Sequence, residues 1–206
     1  MTLVRHSEGM RLVVAFVVAL VASWLPPTVS ARPNLPAGER ARLDSGEIVL
    51  LDRLPPGGGG GLGEGGTALS VVHATAGAVW RVLLDYPGHA GLYPSVVRAD
   101  VLESDASRAL VRYVIKVGPF SFGFHVDNYA DRANNRIDWR LAQGRPNGLF
   151  RDTWGYWEVQ PDAGGVLLTY AMGARTVLPR FLTRGAERDG LVETIKAVRA
   201  RAERRP

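Results

Sequence analysis

Residues 95–175 form a series of strand-like segments that turn signals separate and no helical pattern interrupts. The segments are 95–103, 108–117, 119–130, 136–142, 150–160 and 166–175. Strands that follow one another at such short intervals pair in antiparallel order, because a parallel pair needs a long crossover connection. The sequence therefore predicts an antiparallel meander as the centre of the fold.

Two strands and a helix are predicted before this meander. Residues 47–52 and 67–73 are short apolar segments that we expect to pair as a hairpin. Apolar side chains then recur at helical spacing over residues 74–85, with Thr75 as the expected N-cap. The proline-containing stretch that follows leaves room for only one more short helix.

The last predicted element is a long helix over residues 179–205. Leu191, Ile195, Val198 and Ala202 form one apolar stripe along it. An antiparallel sheet with one apolar face needs a cover, and this helix is the only element long enough to provide one. The sequence predicts an α+β fold in which a curved sheet closes around a C-terminal helix and leaves a cavity.

The first 31 residues have the pattern of an export signal. Arg5 and Arg11 precede an uncharged run over residues 12–25, and Val29 to Ala31 offers small side chains for cleavage. The run has fourteen residues, fewer than the roughly 20 that a spanning helix needs. We expect a cleaved signal peptide rather than an anchor, and a periplasmic or secreted protein.

The remaining chain is expected to form one domain. Residues 32–45 are polar and are predicted to be a flexible leader, the domain covers residues 46–203, and residues 204–206 are a basic tail. The chain has no cysteine, which excludes disulfides, thiolate catalysis, zinc–thiolate sites and iron–sulfur clusters.

A net charge of +5 comes partly from the end of the last helix. The cations there are Lys196, Arg199, Arg201, Arg204 and Arg205. Cations stabilise the C-terminus of a helix through its dipole, and this accounts for most of the run. Docking on an anionic membrane surface is a second interpretation. Nucleic acid is not an expected partner, because the protein is predicted to be exported.

A glycine-rich stretch, residues 55–66, contains the pattern G-x-G-x-x-G at Gly61, Gly63 and Gly66. A dinucleotide site needs a strand before this pattern and a helix after it. Here the strand-like residues 67–72 follow instead. We therefore expect a flexible loop, and we predict no cofactor and no metal site.

Several short motifs occur together in the order of a known superfamily. They are Ala78–Tyr86, Tyr93–Val97, Asn135–Leu141, Gly155–Val159, Leu167–Tyr170 and the pair Leu178–Pro179. Over residues 46–203 the chain resembles the START-like helix-grip superfamily, which includes polyketide cyclase/dehydrase and coenzyme-Q-binding START proteins. The resemblance implies an apolar cavity between sheet and C-terminal helix that holds a lipid, quinone, sterol or polyketide. It transfers no catalytic residue, because the superfamily shares a cavity rather than one catalytic motif.

Aromatic side chains are the main candidates for contact with such a ligand, because Trp and Tyr combine apolar surface with a polar atom. Ordinary core packing is the alternative for most of them. The candidates are Trp80, His89, Tyr93, Tyr113, Phe122, Phe124, Trp139, Trp157, Tyr170, Leu191 and Ile195. Strand alternation favours an inward position for Trp157, and His89 lies in a loop that would edge the cavity.

His125 and Asp127 share one face of a predicted strand. The opposite face carries phenylalanines and is expected to be the buried one, so this pair is predicted to face solvent. No inward-facing acid or base is evident, and we therefore predict no catalytic residue. The preferred interpretation is an exported binding protein that opens by bending at Gly185 or Gly190. A cyclase or dehydratase-like enzyme for a hydrophobic substrate, or an interaction domain with a filled core, are the alternatives.

Overall fold

The computed structural model describes residues 35–58, 63–178 and 186–204. The predicted signal peptide, Gly61, Gly185 and the proposed helix start at Pro179 lie outside these ranges. The helices are α1 (Ala37–Asp44), α2 (Ala76–Leu84), a 3-10 turn (Pro87–His89) and α3 (Ala186–Glu203). The strands are β1 (Val49–Leu51), β2 (Glu64–Val72), β3 (Val96–Ser104), β4 (Arg108–Val117), β5 (Phe120–Asp131), β6 (Arg136–Leu141), β7 (Phe150–Asp162) and β8 (Gly165–Thr176).

The strands form a single antiparallel sheet in the order β1-β2-β8-β7-β6-β5-β4-β3. The predicted meander is confirmed as β3 to β8, and the predicted hairpin is confirmed as the β1–β2 pair. Strand β2 also pairs along its whole length with β8, from Glu64 opposite Ala174 to Val72 opposite Val166. The N-terminal hairpin therefore extends the far edge of the meander.

Helix α3 covers the concave face of the sheet. Its predicted apolar stripe is confirmed, because Leu191, Ile195, Val198 and Ala202 are all buried. They pack into one cluster with side chains of β2, β7, β8 and α2. Burial of one such Leu or Ile side chain contributes about 1.5–3 kcal/mol, so this stripe holds the helix on the sheet. The helix runs through Gly190 without a break.

Helix α2 begins where the sequence predicts. The Thr75 side chain accepts a hydrogen bond from the backbone N–H of Ala78 at 3.2 Å, which satisfies one free donor of the first turn. Val79, Trp80 and Leu83 on one side of this helix are buried in the α3 cluster. Among the described residues no helix is long and apolar enough to cross a membrane.

The expected flexible leader is wrong for residues 35–45. Residues Ala37–Asp44 form α1, and Leu35 and Leu43 are buried against the convex face of the sheet. The physical reason lies in β2, because alternate side chains of this strand point to the convex side and also need cover. Leu69 is one of these side chains and lies in the same cluster as Leu43.

Part of the glycine-rich stretch is packed rather than free. The Trp154 indole N–H donates a 3.0 Å hydrogen bond to the carbonyl oxygen of Pro55 on the convex face. A Cβ atom at Gly58 or Gly63 would collide with the Trp154 ring. Strand β2 begins at Glu64, inside the G-x-G-x-x-G pattern, so a strand and not a helix follows it, as the sequence predicts. Close approach of the chain to Trp154 explains the glycines at these two positions.

Candidate ligand-binding site

Two buried clusters share the concave face of the sheet. One surrounds α3 and α2, and the other joins Tyr86, Val111, Tyr113 and Val126 near the β3–β5 end. Three half-buried side chains pack against both clusters, namely Leu84, Tyr93 and Trp139. These three side chains therefore keep accessible apolar and aromatic surface where the two clusters meet. We identify the region around these three residues as the candidate site.

Strand register brings the aromatic side chains of β6, β7 and β8 together. Trp157 lies opposite Tyr170, and their rings stack with centroids 4.0 Å apart and planes at 13°. Trp139 lies opposite Gly155, where a Cβ atom would collide with its ring. The glycine therefore lets the Trp139 indole lie across β7. The result is a wall of flat aromatic surfaces beside α3.

The loop between α2 and β3 supplies the facing side of the site. His89 ends the 3-10 turn, and its backbone carbonyl accepts a 3.0 Å hydrogen bond from the Tyr93 N–H. Gly91 turns the chain with φ +74°, a conformation that favours glycine. This turn stacks the Tyr93 ring on the His89 ring, with centroids 4.2 Å apart. Tyr93 also reaches Trp157, at a centroid distance of 6.3 Å.

His89 is 2% exposed and both of its ring nitrogens have partners. The Val82 carbonyl oxygen lies 3.2 Å from Nε2, and the Tyr113 hydroxyl lies 3.0 Å from Nδ1. A carbonyl oxygen only accepts, so Nε2 carries the hydrogen and Nδ1 accepts from the Tyr113 hydroxyl. Burial lowers the pKa of His89 to about 4, which keeps the ring neutral at pH 7 and agrees with this assignment.

The site is uncharged at neutral pH. Burial raises the pKa of Tyr86 to about 12 and raises those of Tyr93, Tyr113 and Tyr170 well above the usual value, so all four keep their protons. In the described part of the chain no Asp, Glu, Lys or Arg residue is buried. A charged ligand would enter this region without a counter-charge, and that costs several kcal/mol. The lining therefore favours a neutral molecule.

Most of the predicted contact residues lie close together at the candidate site. Others lie elsewhere in the fold. His89, Tyr93, Tyr113, Trp139, Trp157 and Tyr170 lie in one connected set of ring contacts and packing. Phe124 extends it through Tyr113, at 5.7 Å between centroids, and through Phe150, at 4.7 Å. Phe122 lies further along β5 beside the exposed Phe120.

Trp80, Leu191 and Ile195 belong to the packed core. Their exposed fractions are 4%, 1% and 0%. Leu191 and Ile195 keep almost no surface for a ligand to contact. The Arg132 guanidinium covers the Trp80 ring, 4.7 Å from its centroid. These three residues therefore support the site from behind. Their proposed role as direct ligand contacts is not retained.

His125 faces away from the site, as the strand alternation predicts, but its predicted solvent exposure is wrong. The β6–β7 loop folds across it, and the His125 ring Nδ1 lies 3.0 Å from the Pro146 carbonyl oxygen. The backbone N–H of His125 donates to the Asn147 side chain at 2.8 Å. Asp127 is paired with Arg108, with 2.6 Å between Oδ1 and Nη2. The two residues therefore have structural partners on the convex side.

Sequence reasoning missed three residues of the concave face. Leu84 lies at the end of α2, Met172 follows Tyr170 on β8, and Asn128 is a buried amide directly opposite Trp139. The Asn128 side chain donates to the carbonyl oxygens of Ala109 and Val126, both at 3.3 Å. The alternation along β5 could have identified Asn128, because residues 124 and 128 of one strand point to the same, inward face.

Comparison with known proteins gives one family and many similar structures. The family model described as polyketide cyclase / dehydrase and lipid transport matches residues 67–204. The Zhui aromatase/cyclase from a Streptomyces species is 22% identical, with a TM-score of 0.60 over 68% of this chain and 93% of that chain. A STAR-related lipid transfer protein fragment from Xanthomonas axonopodis is 19% identical, with a TM-score of 0.58 over 67% of this chain and 85% of that one.

A START superfamily protein from Mycobacterium smegmatis is 17% identical, with a TM-score of 0.56 over 66% of this chain and 95% of that chain. At these identities the likeness establishes the fold and nothing finer. No curated protein matches the sequence.

Proposed function

Because the chain belongs to the polyketide cyclase/dehydrase and lipid transport family, we propose that it is an exported protein that binds one neutral hydrophobic molecule on the concave face of its sheet. The ligand is a lipid, a quinone or a polyketide-like compound. One observation carries the proposal: Leu84, Tyr93 and Trp139 are half-buried between two buried clusters. Apolar walls with a few polar atoms are typical of small-molecule sites.

The export part of the proposal rests on the pattern of residues 1–31. Cleavage after Ala31 would leave Arg32 as the first residue. Fractionation of the native host followed by N-terminal sequencing tests this part. Recovery outside the cytoplasm with Arg32 at the N-terminus supports it, and an intact Met1 in the cytoplasm contradicts it.

An enzyme is the second candidate, and His89 is the observation that favours it. It is the only buried histidine on the concave face among the described residues, and two tyrosine hydroxyls lie within 3.2 Å of its ring. As a general base it would use Nδ1, which already accepts from Tyr113. Its pKa of about 4 also makes it a weak base at pH 7. Binding is therefore the better-supported function.

A membrane surface is the proposed source or destination of the ligand. Part of the basic run is structural, because Arg199 donates to the Gly46 carbonyl oxygen at 2.9 Å and to the Ser70 hydroxyl at 3.0 Å. Lys196, Arg201 and Arg204 are exposed, and anionic lipid headgroups can reach them. Lys196 would exchange a surface ion pair with Glu193, at 3.4 Å, for such a contact. Sedimentation with vesicles that contain phosphatidylglycerol tests this, and equal binding to neutral vesicles contradicts it.

Two experiments test the binding function. Native mass spectrometry with lipid extraction on protein from its own host identifies any bound molecule. In vitro, uptake of quinones and fatty-acid esters is measured by titration of tryptophan fluorescence. The variant Leu84→Trp places a large side chain in the proposed space and is expected to weaken binding at least tenfold.

The matched control is Leu102→Trp, at a position on β3 that is 45% exposed. This variant is expected to bind like the wild type. Failure of the wild type to bind any of these probes contradicts the proposed function. Equal affinities for Leu84→Trp and the wild type contradict the proposed location.

A further inference from the structure

Some hydroxyl and N–H groups of the site donate their hydrogen to another protein atom, and others do not. The Tyr113 hydroxyl hydrogen is used, because Tyr113 donates to Nδ1 of His89. The His89 Nε2 hydrogen is used, because it donates to the Val82 carbonyl oxygen. A neutral histidine has one donor and one acceptor, so its hydrogen-bonding capacity is complete.

Tyr93 has a hydroxyl hydrogen that His89 cannot accept. The Tyr93 oxygen lies 3.2 Å from Nε2, and this nitrogen already carries a hydrogen. The two rings stack with planes at 25°, so the Nε2–H bond, which lies in the imidazole plane, does not point at the Tyr93 oxygen. No other group among the described residues is within hydrogen-bond distance of this hydroxyl. Its hydrogen is therefore free for a ligand.

Two neighbouring groups share this property. In the described part of the chain, neither the Tyr170 hydroxyl nor the Trp157 indole N–H has a hydrogen-bond partner. Among the described residues, the fully buried side-chain polar atoms that lack a partner belong to Glu39 and Gln160. The Tyr170 hydroxyl and the Trp157 N–H are not in that set, so each keeps some accessible surface. The Trp157 and Tyr170 rings stack on each other, and Tyr93 contacts Trp157. An indole N–H can only donate.

We propose that Tyr93, with Tyr170 and Trp157, forms a donor group that hydrogen-bonds a carbonyl oxygen of the ligand. This inference rests on the proposed binding function and names its specificity. The site selects neutral molecules that carry a ketone, quinone or ester oxygen over hydrocarbons of the same shape. It also disfavours carboxylates, because no buried cation among the described residues would balance their charge.

A matched pair of probes tests the inference on the full-length mature protein. The probes are 2-methyl-1,4-naphthoquinone and 2-methylnaphthalene, which share a ring system and differ in the carbonyl oxygens. The quinone forms no thiol adduct with this chain, which has no cysteine. Binding is measured by quenching of tryptophan fluorescence and by calorimetry. The wild type is expected to bind the quinone about tenfold more tightly than the hydrocarbon.

The variant Tyr93→Phe removes one hydroxyl and keeps the ring. We expect it to weaken quinone binding about 3- to 10-fold, the range for one neutral hydrogen bond, and to leave hydrocarbon binding unchanged. Tyr129→Phe is the control, since Tyr129 is 37% exposed on the other face of β5. The infrared carbonyl stretch of the bound quinone is a direct readout, because it moves to lower frequency when the oxygen accepts a hydrogen bond.

The outcomes separate this inference from the proposed function. Loss of the carbonyl shift in Tyr93→Phe, with folding and hydrocarbon binding intact, supports the inference. If the wild type binds both probes equally and Tyr93→Phe changes neither affinity nor the carbonyl stretch, the inference is overturned and the binding function stands. If the wild type binds neither probe but binds fatty-acid esters, the inference is overturned and the binding function stands. If it binds none of these molecules, both are overturned.

Discussion

Trp157 and Tyr170 stack face to face across the β7–β8 pair, with ring centroids 4.0 Å apart and planes at 13°. The pair joins the core under α3 to the half-buried rings of the site, because Trp157 is 5% exposed while Tyr170 keeps accessible surface. This contact therefore belongs to the core and to the proposed binding site at once. Substitution of either residue is expected to affect stability and ligand binding together.

Trp157→Ala is expected to lower the free energy of unfolding by about 3–5 kcal/mol, the usual cost of removing a buried large aromatic side chain. Trp157→Phe keeps a ring and should lose less, because part of the stacking with Tyr170 remains. Urea unfolding followed by circular dichroism measures both. A loss below about 1 kcal/mol for Trp157→Ala would show that this side chain is not part of the core.

Stability is expected to fall as the pH is lowered from about 6.5 to about 4, because of His89. Its pKa is about 4 in the folded protein, against 6.5 ordinarily, since burial disfavours the charged ring. Between these values the unfolded chain binds the extra proton, so acid favours unfolding. The full effect is about 3 kcal/mol, and it is absent above the ordinary pKa.

His89→Gln should flatten the pH dependence of unfolding between pH 4.5 and 6.5. Hydrogen bonds lower the pKa of Glu47, Asp105 and Asp131, so the stability that these groups contribute is lost mainly below their ordinary values of 4.5, 3.8 and 3.8, at or under the lower end of this window. Urea midpoints for the wild type and the variant across the window provide the measurement. If the urea midpoints of the two proteins change with pH in the same way, the pKa of His89 is the same in the folded and the unfolded chain.

Leu43→Ala is expected to destabilise the protein by about 2–4 kcal/mol, because Leu43 lies on the buried side of α1 and is 0% exposed. Leu54→Ala is the control at a position that is 38% exposed, where the change should stay within about 0.5 kcal/mol. Thermal unfolding of both variants tests whether α1 belongs to the folded domain. Equal melting temperatures for Leu43→Ala and the wild type would mean that residues 35–45 are not part of the folded domain.

Gly190→Ala is expected to stabilise the protein by about 0.5–1 kcal/mol, because glycine inside a helix is unfavourable and no atom lies within 4 Å of the added Cβ. If α3 bends at Gly190 to open the site, the same variant also slows ligand exchange. Thermal unfolding and stopped-flow displacement of a bound fluorescent lipid measure the two effects. If the rate of ligand exchange is unchanged in a Gly185→Ala/Gly190→Ala double variant, the hypothesis of a hinge at these glycines is wrong.

Local patterns in the sequence were sufficient to predict most of the elements. Alternation along each strand identified the meander and placed Trp157 inward, because successive side chains of a strand point to opposite faces. The Thr75 N-cap and the apolar stripe from Leu191 to Ala202 are equally local, since they depend on residues within one or a few helical turns. Here the sequence alone determined the element order from β1 onward and the concave, apolar face.

Tertiary structure decided which residues form the site and how they are protonated. His89 is neutral and fully hydrogen-bonded because Tyr113, 24 residues away, meets its ring. His125 is buried because Pro146, 21 residues away, lies across it, and Leu43 is buried because β2 needs cover on its convex side. Such contacts join groups that no short pattern relates, since they depend on register and loop path. The free hydroxyl of Tyr93 emerges only from that arrangement.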